Sequence, residues 1–195
     1  ELSKQSLRSL GAKICEIDFR PFYAVAEKLY NGPWVAERHA VIEDLLNDHP
    51  TDVHPVTRQV TEVADRFSAK DTFRAMYALR DLASEISKTM ISLDMLCVPS
   101  VPTFFTRREV DADPIGTNAQ LGTYTNFVNL LDMCAITVPV AAREDGLPGS
   151  VTLIGSAGTD GALATFAAAI QQKNAPALGA TAWPLPPAIQ PPAMQ

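Results

Sequence analysis

Strong positive charge is what this sequence lacks first. Its longest basic run is Arg107-Arg108, and 16 Lys and Arg stand against 22 Asp and Glu for a net charge of −6. Affinity for nucleic acid comes from clustered cations that release counterions from phosphate, so no nucleic-acid partner is expected. The arginine pair is expected on a solvated loop. Long apolar runs are missing too. No stretch approaches the roughly 18 to 20 residues that a bilayer crossing needs, so no membrane partner is expected. Cysteine is scarce: Cys15, Cys97 and Cys134 are odd in number, far apart, and in or beside apolar segments. They fit reduced core thiols better than a disulfide framework, which makes the cytoplasm the default location. The opening ELSKQSLRSL has neither an initial Met nor a basic leader. From this we expect either a processed N-terminus or a piece of something longer.

Motifs for cofactors, metals and nucleophiles are absent as well. G-x-G-x-x-G, the Walker A loop, H-E-x-x-H and C-x-x-C do not occur, so no cofactor is expected. The stretch LIGSAG falls short of a nucleophile elbow because Ile154 stands two residues before Ser156, and it reads as a strand-to-helix turn. His39, His49 and His54 have no metal-ligand spacing, and Asp111 with Asp113 reads as a solvent-facing acidic loop. No catalytic or metal-binding residue is assigned from these patterns.

What is present is core material, 47% hydrophobic residues over 195 positions, enough for one domain or part of one. Leu2, Leu7 and Leu10 followed by Gly11 suggest a helix end, and AKICEIDF then alternates like a strand. Pro21 and Pro33 suit the first turns of helices over about 21–30 and 33–47. A short helix over about 55–66 is possible. The longest helical pattern runs from 69 to 91, with a stripe through Phe73, Met76, Leu79 or Ala83, Ile86 and Met90. MLCVPSVP, AITVPV and SVTLIG read as three more short strands, with a loop to about Asp113 and a helical segment in the latter part of PIGTNAQLGTYTNFVNLLDMC. A final helix is capped by Thr159 or Asp160. The expected fold class is α/β, a mixed sheet flanked by helices, and four strands are few for so many helices. This suggests an incomplete part of a larger domain. Residues 1–172 form the folded part. From 173 to 195 the composition turns to Pro and Ala, with six prolines in the last twenty residues, and reads as a linker or tail.

The one stretch that asks for a function is LYNGPWVAERHA, where Asn31-Gly32-Pro33 interrupts one helix only for another to begin. A helix starting at Pro33 turns free N–H groups and its positive dipole end toward the break, which favours an anion. Tyr30 can offer a phenolic donor, and Arg38 can reach back with a planar fork suited to a carboxylate. The same residues also admit a plainer arrangement. Tyr30 could pack in the core, and Arg38 could pair with Glu37, Glu43 or Asp44 on an exposed face, which is worth little.

Several longer segments carry a resemblance: IDFRPFYAVAEKLYNGPWVAERHA, DMLCVPSVPTFFT, LGTYTNFVNLLDMCAITVP, GLPGSVTLIG and LGATAWPLPP. Together they resemble the C-terminal half of the amidase domain of the allophanate hydrolases, within the amidase signature family. YNGPWVAER and YTNFVNLLD are the most specific, and the Pro-rich tail resembles the linker to a separate C-terminal domain. The resemblance implies hydrolysis of allophanate, urea-1-carboxylate, to ammonia and carbon dioxide in urea nitrogen catabolism. It also implies that Tyr30 and Arg38 hold the substrate carboxylate, and that the protein forms a homodimer. The family acts through a serine nucleophile, a second serine and a lysine in an upstream Gly/Ser-rich region. No residue here matches them, so the chain by itself is expected to be inactive and to need that missing N-terminal half. A noncatalytic carboxylate-binding or assembly subunit, and an amidase with another substrate, remain as alternatives.

Overall fold

The computed structural model describes residues 2–175, 181, 183 and 184. They form an α/β unit in which a three-stranded sheet lies between layers of helices. The Pro-rich tail lies almost wholly outside the described residues.

The first helix, α1 (Leu2–Ser9), ends as its sequence suggests. Gly11 takes φ 88°, and the N–H groups of Gly11 and Ala12 donate back to the carbonyls of Arg8 and Leu7. This satisfies carbonyls that the helix end would otherwise leave unpaired. The expected strand that follows does not form. Residues 12–19 form no regular element and join no ladder. Their apolar side chains do face inward: Ile14, Ile17 and Phe19 are half-buried, and Ile17 and Phe19 pack on the core, although Cys15 and Glu16 are both exposed and interrupt the alternation. Alternation reports which side chains face the interior. It does not report a neighbouring strand, and none among the described residues lies alongside.

Helices α2 (Arg20–Asn31) and α3 (Trp34–Asp48) flank the Asn-Gly-Pro break, with Pro21 inside the first turn of α2 and Pro33 capping α3. A 3₁₀ turn (Pro50–Asp52), α4 (Pro55–Thr61) and a second 3₁₀ turn (Glu62–Arg66) lead to α5 (Ala69–Met90). In α5, Ser68 and Asp71 form a reciprocal capping box that satisfies N–H groups at the helix start. The apolar stripe of α5 divides. Ile86 and Met90 are buried and Leu79 packs on the core, but Phe73 and Met76 are exposed at 56% and 40%.

After β1 (Leu96–Pro99) the expected loop contains a helix, α6 (Arg107–Ala112), opened by a capping box between Thr106 and Glu109. Arg107 and Arg108 are exposed, as expected, though on this helix. Helix α7 (Pro114–Leu121) occupies the earlier part of its segment, and only the short α8 (Phe127–Leu130) occupies the latter part. Strands β2 (Met133–Val140) and β3 (Gly149–Ser156) and helix α9 (Asp160–Asn174) complete the order.

The sheet order is β1-β3-β2, and both pairings are antiparallel, with Leu96 opposite Ile154 and Ile136 opposite Leu153. Because successive strand residues point to opposite faces, β3 serves two cores. Ile154 joins Leu96, Val98, Phe22, Val25, Ile86, Met90 and Phe127 on one face. Leu153 and Val151 join Val138 and the α9 residues Leu163, Ala167 and Ile170 on the other. The aromatic centre of the first core is tight, with Phe22 to Phe127 ring centroids at 5.0 Å and Phe19 to Phe22 at 4.7 Å.

The two helical layers are offset. On the α9 side β1 is left open, so Cys97 and Pro99 are exposed; on the other side β2 is open at Ala135 and Thr137. This offset corrects the expectation of core thiols. Cys97 and Cys15 are exposed, and only Cys134 is half-buried, with Sγ 3.2 Å from the Ser156 carbonyl and from Thr159 Oγ1.

Candidate functional site

The break between α2 and α3 is explained by close packing at Gly32. A Cβ there would lie 2.6 Å from the Lys28 carbonyl and 3.2 Å from the Trp34 ring, so any side chain would collide with the end of α2. Gly32 thus lets α2 stop and α3 start within three residues. That short connection keeps Tyr30 and Arg38, one on each helix, near each other.

They do meet. The Arg38 guanidinium lies over the Tyr30 ring, 5.2 Å from its centroid, an attraction between a cation and the negative face of the ring. Both side chains are half-buried and both line an open cavity of about 800 Å³. None of Glu37, Glu43 and Asp44 forms an ion pair with Arg38, so its charge is not neutralised by the plainer arrangement. Glu37 does stand at the rim of the same cavity. The walls are largely apolar, with Val41 and Ile42 from α3, Val60 from α4, and Ile115 and Leu121 from α7. These walls set apolar surface beside the guanidinium, while the cavity stays open to solvent and Val41 is largely exposed.

Asn118 was not legible as part of this site. It sits on α7 and donates from Nδ2 to the Tyr30 phenol oxygen at 3.2 Å, across 88 residues of sequence. The neighbouring Thr117 is buried and its Oγ1 donates to the Asp113 carbonyl at 2.6 Å, which ties this turn of α7 to its own cap.

The N-terminal end of α3, at Pro33 and Trp34, does not line the cavity, although Glu37 at the end of its first turn does. Asn31, Gly32, Pro33 and Trp34 line a separate hollow of about 390 Å³, together with Glu27 and Asp71. The start of α3 therefore lies at a place whose wall carries two carboxylates and the Lys28 side chain, and the Tyr30–Arg38 pair lines another.

Three of the other residues weighed from the sequence have structural partners, and one of them, His54, also lines the Tyr30–Arg38 cavity. His39 Nδ1 lies 3.1 Å from the Thr61 carbonyl, His54 caps α4 by accepting from Val56 N–H, and Asp113 caps α7 by accepting from Gly116 N–H. Ser156 is exposed at the end of β3, where its carbonyl accepts from Thr159 Oγ1 at 2.8 Å in the turn into α9. Among the described residues no helix is long and apolar enough to cross a membrane.

The chain is 41% identical to the urea amidolyase of Lachancea kluyveri over 165 residues, which are 84% of this chain and 9% of that protein. Its fold superimposes on the allophanate hydrolase of Kluyveromyces lactis with a TM-score of 0.83 and 36% identity, covering 88% of this chain and 28% of that one. The K. lactis urea amidolyase gives a TM-score of 0.84 with 36% identity, over 90% of this chain and 11% of that one. The chain thus spans a small part of the length of each of these relatives. The family model described as Amidase matches residues 1–164, and the chain belongs to the amidase family.

Proposed function

We propose that this chain is the carboxylate-holding part of an amidohydrolase that cleaves allophanate to ammonia and carbon dioxide. The observation that carries the reading is the convergence of Arg38, whose guanidinium has no ion-pair partner among the described residues, and the Tyr30 phenol on one apolar-walled cavity. Arg38 supplies a planar fork that matches a carboxylate with two parallel hydrogen bonds. Tyr30 supplies a single directional donor beside it. Holding the carboxylate end of a small planar substrate fixes which amide carbon meets a nucleophile. It also disfavours neutral urea, which would leave the guanidinium without an anionic partner.

The nucleophile itself comes from elsewhere in this reading. A serine activated by a neighbouring base, with backbone N–H groups around the oxyanion, is the general requirement for such acyl transfer. In our reading a Ser-Ser-Lys set upstream of this chain meets it, in a homodimeric cytoplasmic enzyme of urea nitrogen catabolism, and the Pro/Ala-rich segment expected from 173 is a linker that starts only after α9, which runs through Asn174. The 195-residue chain by itself is then inactive.

Steady-state kinetics of the full-length enzyme on allophanate and on biuret, its neutral carboxamide counterpart, test the proposal. Arg38→Ala is expected to raise KM for allophanate steeply and to leave the poor use of biuret almost unchanged. Equal turnover of allophanate by the variant and the parent enzyme would refute the reading. One observation favours a second substrate class. The cavity of about 800 Å³ is larger than a urea carboxylate fills, which would suit a longer carboxylated amide if no other segment of the enzyme occupies the remainder. Assays on malonamate and its longer homologues distinguish the two.

A further inference from the structure

The hydrogen bond between Asn118 and Tyr30 has a direction, and that direction decides what the phenol can do. A phenol oxygen has one O–H to donate and lone pairs to accept with. Here Asn118 Nδ2–H donates, so an accepting side of the oxygen is taken and the O–H cannot point back at the amide nitrogen. Among the described residues no protein acceptor takes the Tyr30 O–H. Arg38 covers the ring face and cannot accept either, since a guanidinium is donor-only.

We propose that Asn118 is a positioning residue that sets the hydrogen-bond polarity of Tyr30, turning its O–H into the cavity to donate to the substrate carboxylate. The inference rests on the carboxylate-site reading above and adds a specificity element that acts without touching the substrate. A donated bond from Asn118 polarises the phenol, so the chain amide N–H to phenol O–H to carboxylate strengthens along its length. Both groups that meet the ligand, phenol and guanidinium, then present hydrogen only. A carboxylate, which accepts at both oxygens, satisfies them. A carboxamide turns an NH₂ toward one of them and cannot.

The arrangement makes Asn118→Asp more damaging than Asn118→Ala. Alanine removes the anchor and leaves the phenol free to rotate, so part of its population still donates to the ligand. Aspartate accepts from the phenol, draws the O–H away from the cavity and places a second negative charge beside the carboxylate. Asn118 is exposed on α7, so neither change opens a core cavity.

The test is a set of full-length enzyme variants assayed for KM and kcat on allophanate, with thermal unfolding as a control on folding. Asn118→Ala is expected to raise KM about tenfold and Asn118→Asp about a hundredfold, with kcat within about threefold. Asn118→Gln, which keeps the donor, is expected to recover part of the loss. In a Tyr30→Phe background Asn118→Ala should have no further effect, because the group it acts through is gone. Equal effects of Asn118→Ala in the two backgrounds would overturn the positioning role. An aspartate variant as good as the parent would overturn the proposed polarity, since the phenol would then be donating to residue 118. Arg38→Ala separates the two levels of the argument. If it raises KM while the Tyr30–Asn118 cycle is additive, only this inference fails; if it leaves KM unchanged, the carboxylate site and this inference fall together.

Discussion

Two hollows flank the break between α2 and α3, and they differ in almost every respect that matters for binding. The larger one holds Arg38 and Tyr30 against apolar walls. The smaller one holds the start of α3, where the helix dipole favours negative charge, but its rim includes Glu27 and Asp71. A dipole end contributes about half a unit of positive charge and is screened by water. A guanidinium contributes a full unit and a fixed set of donors. Side-chain chemistry therefore outweighs the backbone here. The break acts as a joint that brings Tyr30 and Arg38 together, and the helix terminus it creates lies at the other hollow, away from the cavity they line.

The largest test of this contrast compares one cation from each hollow in the full-length enzyme. Arg38→Ala is expected to lower kcat/KM for allophanate by about a hundredfold or more, the scale of losing a charge-assisted hydrogen bond pair of about 3 kcal/mol. Lys28→Ala, in the smaller hollow, is expected to change it by less than about threefold. If the lysine variant were the more damaged of the two, the hollows would have to exchange roles.

The joint itself provides the next test. Gly32→Ala places a Cβ within 2.6 Å of the Lys28 carbonyl, and backbone is harder to displace than the tip of a side chain. A loss of about 1 to 3 kcal/mol in stability is expected, read as a lower Tm of the domain carrying this chain. KM for allophanate should rise only if the strain separates Tyr30 from Arg38. A rise in KM with no loss of Tm would mean that Gly32 serves the ligand rather than the packing.

Much of this frame is legible in the sequence, and the parts that are not have physical reasons. Pro21 and Pro33 mark the starts of α2 and α3 because proline tolerates the first turn of a helix and little else within it. Gly11 marks the end of α1 because its φ of 88° costs other residues more. The segment 12–19 misleads because apolar residues that anchor an irregular chain on a core can be spaced much like those of a strand whether or not a strand lies beside it. Helix α6 carried a readable signal, the Thr106–Glu109 spacing of a capping box, which the short length of the helix obscured. The stripe along α5 gives the correct face. Pattern alone could not show that its first half, Phe73 and Met76, lies beyond the reach of the core. In the site, Tyr30 and Arg38 are close in sequence and could be paired by spacing. Asn118 could not, because only the tertiary placement of α7, which packs against α6 and α4, brings it to the phenol.

Tyr30→Phe probes the phenol with a smaller expected effect. The ring and its contact with Arg38 stay, and only the hydroxyl is removed. A rise in KM of about tenfold follows from the loss of one hydrogen bond to a charged ligand. The same change leaves Asn118 without its acceptor, but Asn118 is exposed and water replaces it at little cost. If Tyr30→Phe were as damaging as Arg38→Ala, the phenol would be doing more than orienting the carboxylate, and a role in proton transfer would need testing by the pH profile of kcat.

The smallest expected effect is in the second hollow, at the cap of α5. Asp71 faces that hollow while its carboxylate accepts from Ser68 N–H at 3.0 Å and Ser68 Oγ at 2.6 Å, and these bonds hold its pKa below the usual carboxylate value of 3.8. A carboxylate so held prefers the folded state when ionised. Its contribution is present above the unfolded pKa and fades as pH falls through the lower folded value. Ser68→Ala is therefore expected to lower Tm by about 2 °C near neutral pH, the scale of losing one cap, and the gap should narrow below about pH 4 as the group protonates in both states. Because Asp71 remains charged and the Tyr30–Arg38 cavity is untouched, KM for allophanate should not move. A KM that followed Ser68→Ala would mean the two hollows are coupled through the joint at Gly32, and that the acidic wall of the smaller one tunes the anion affinity of the larger.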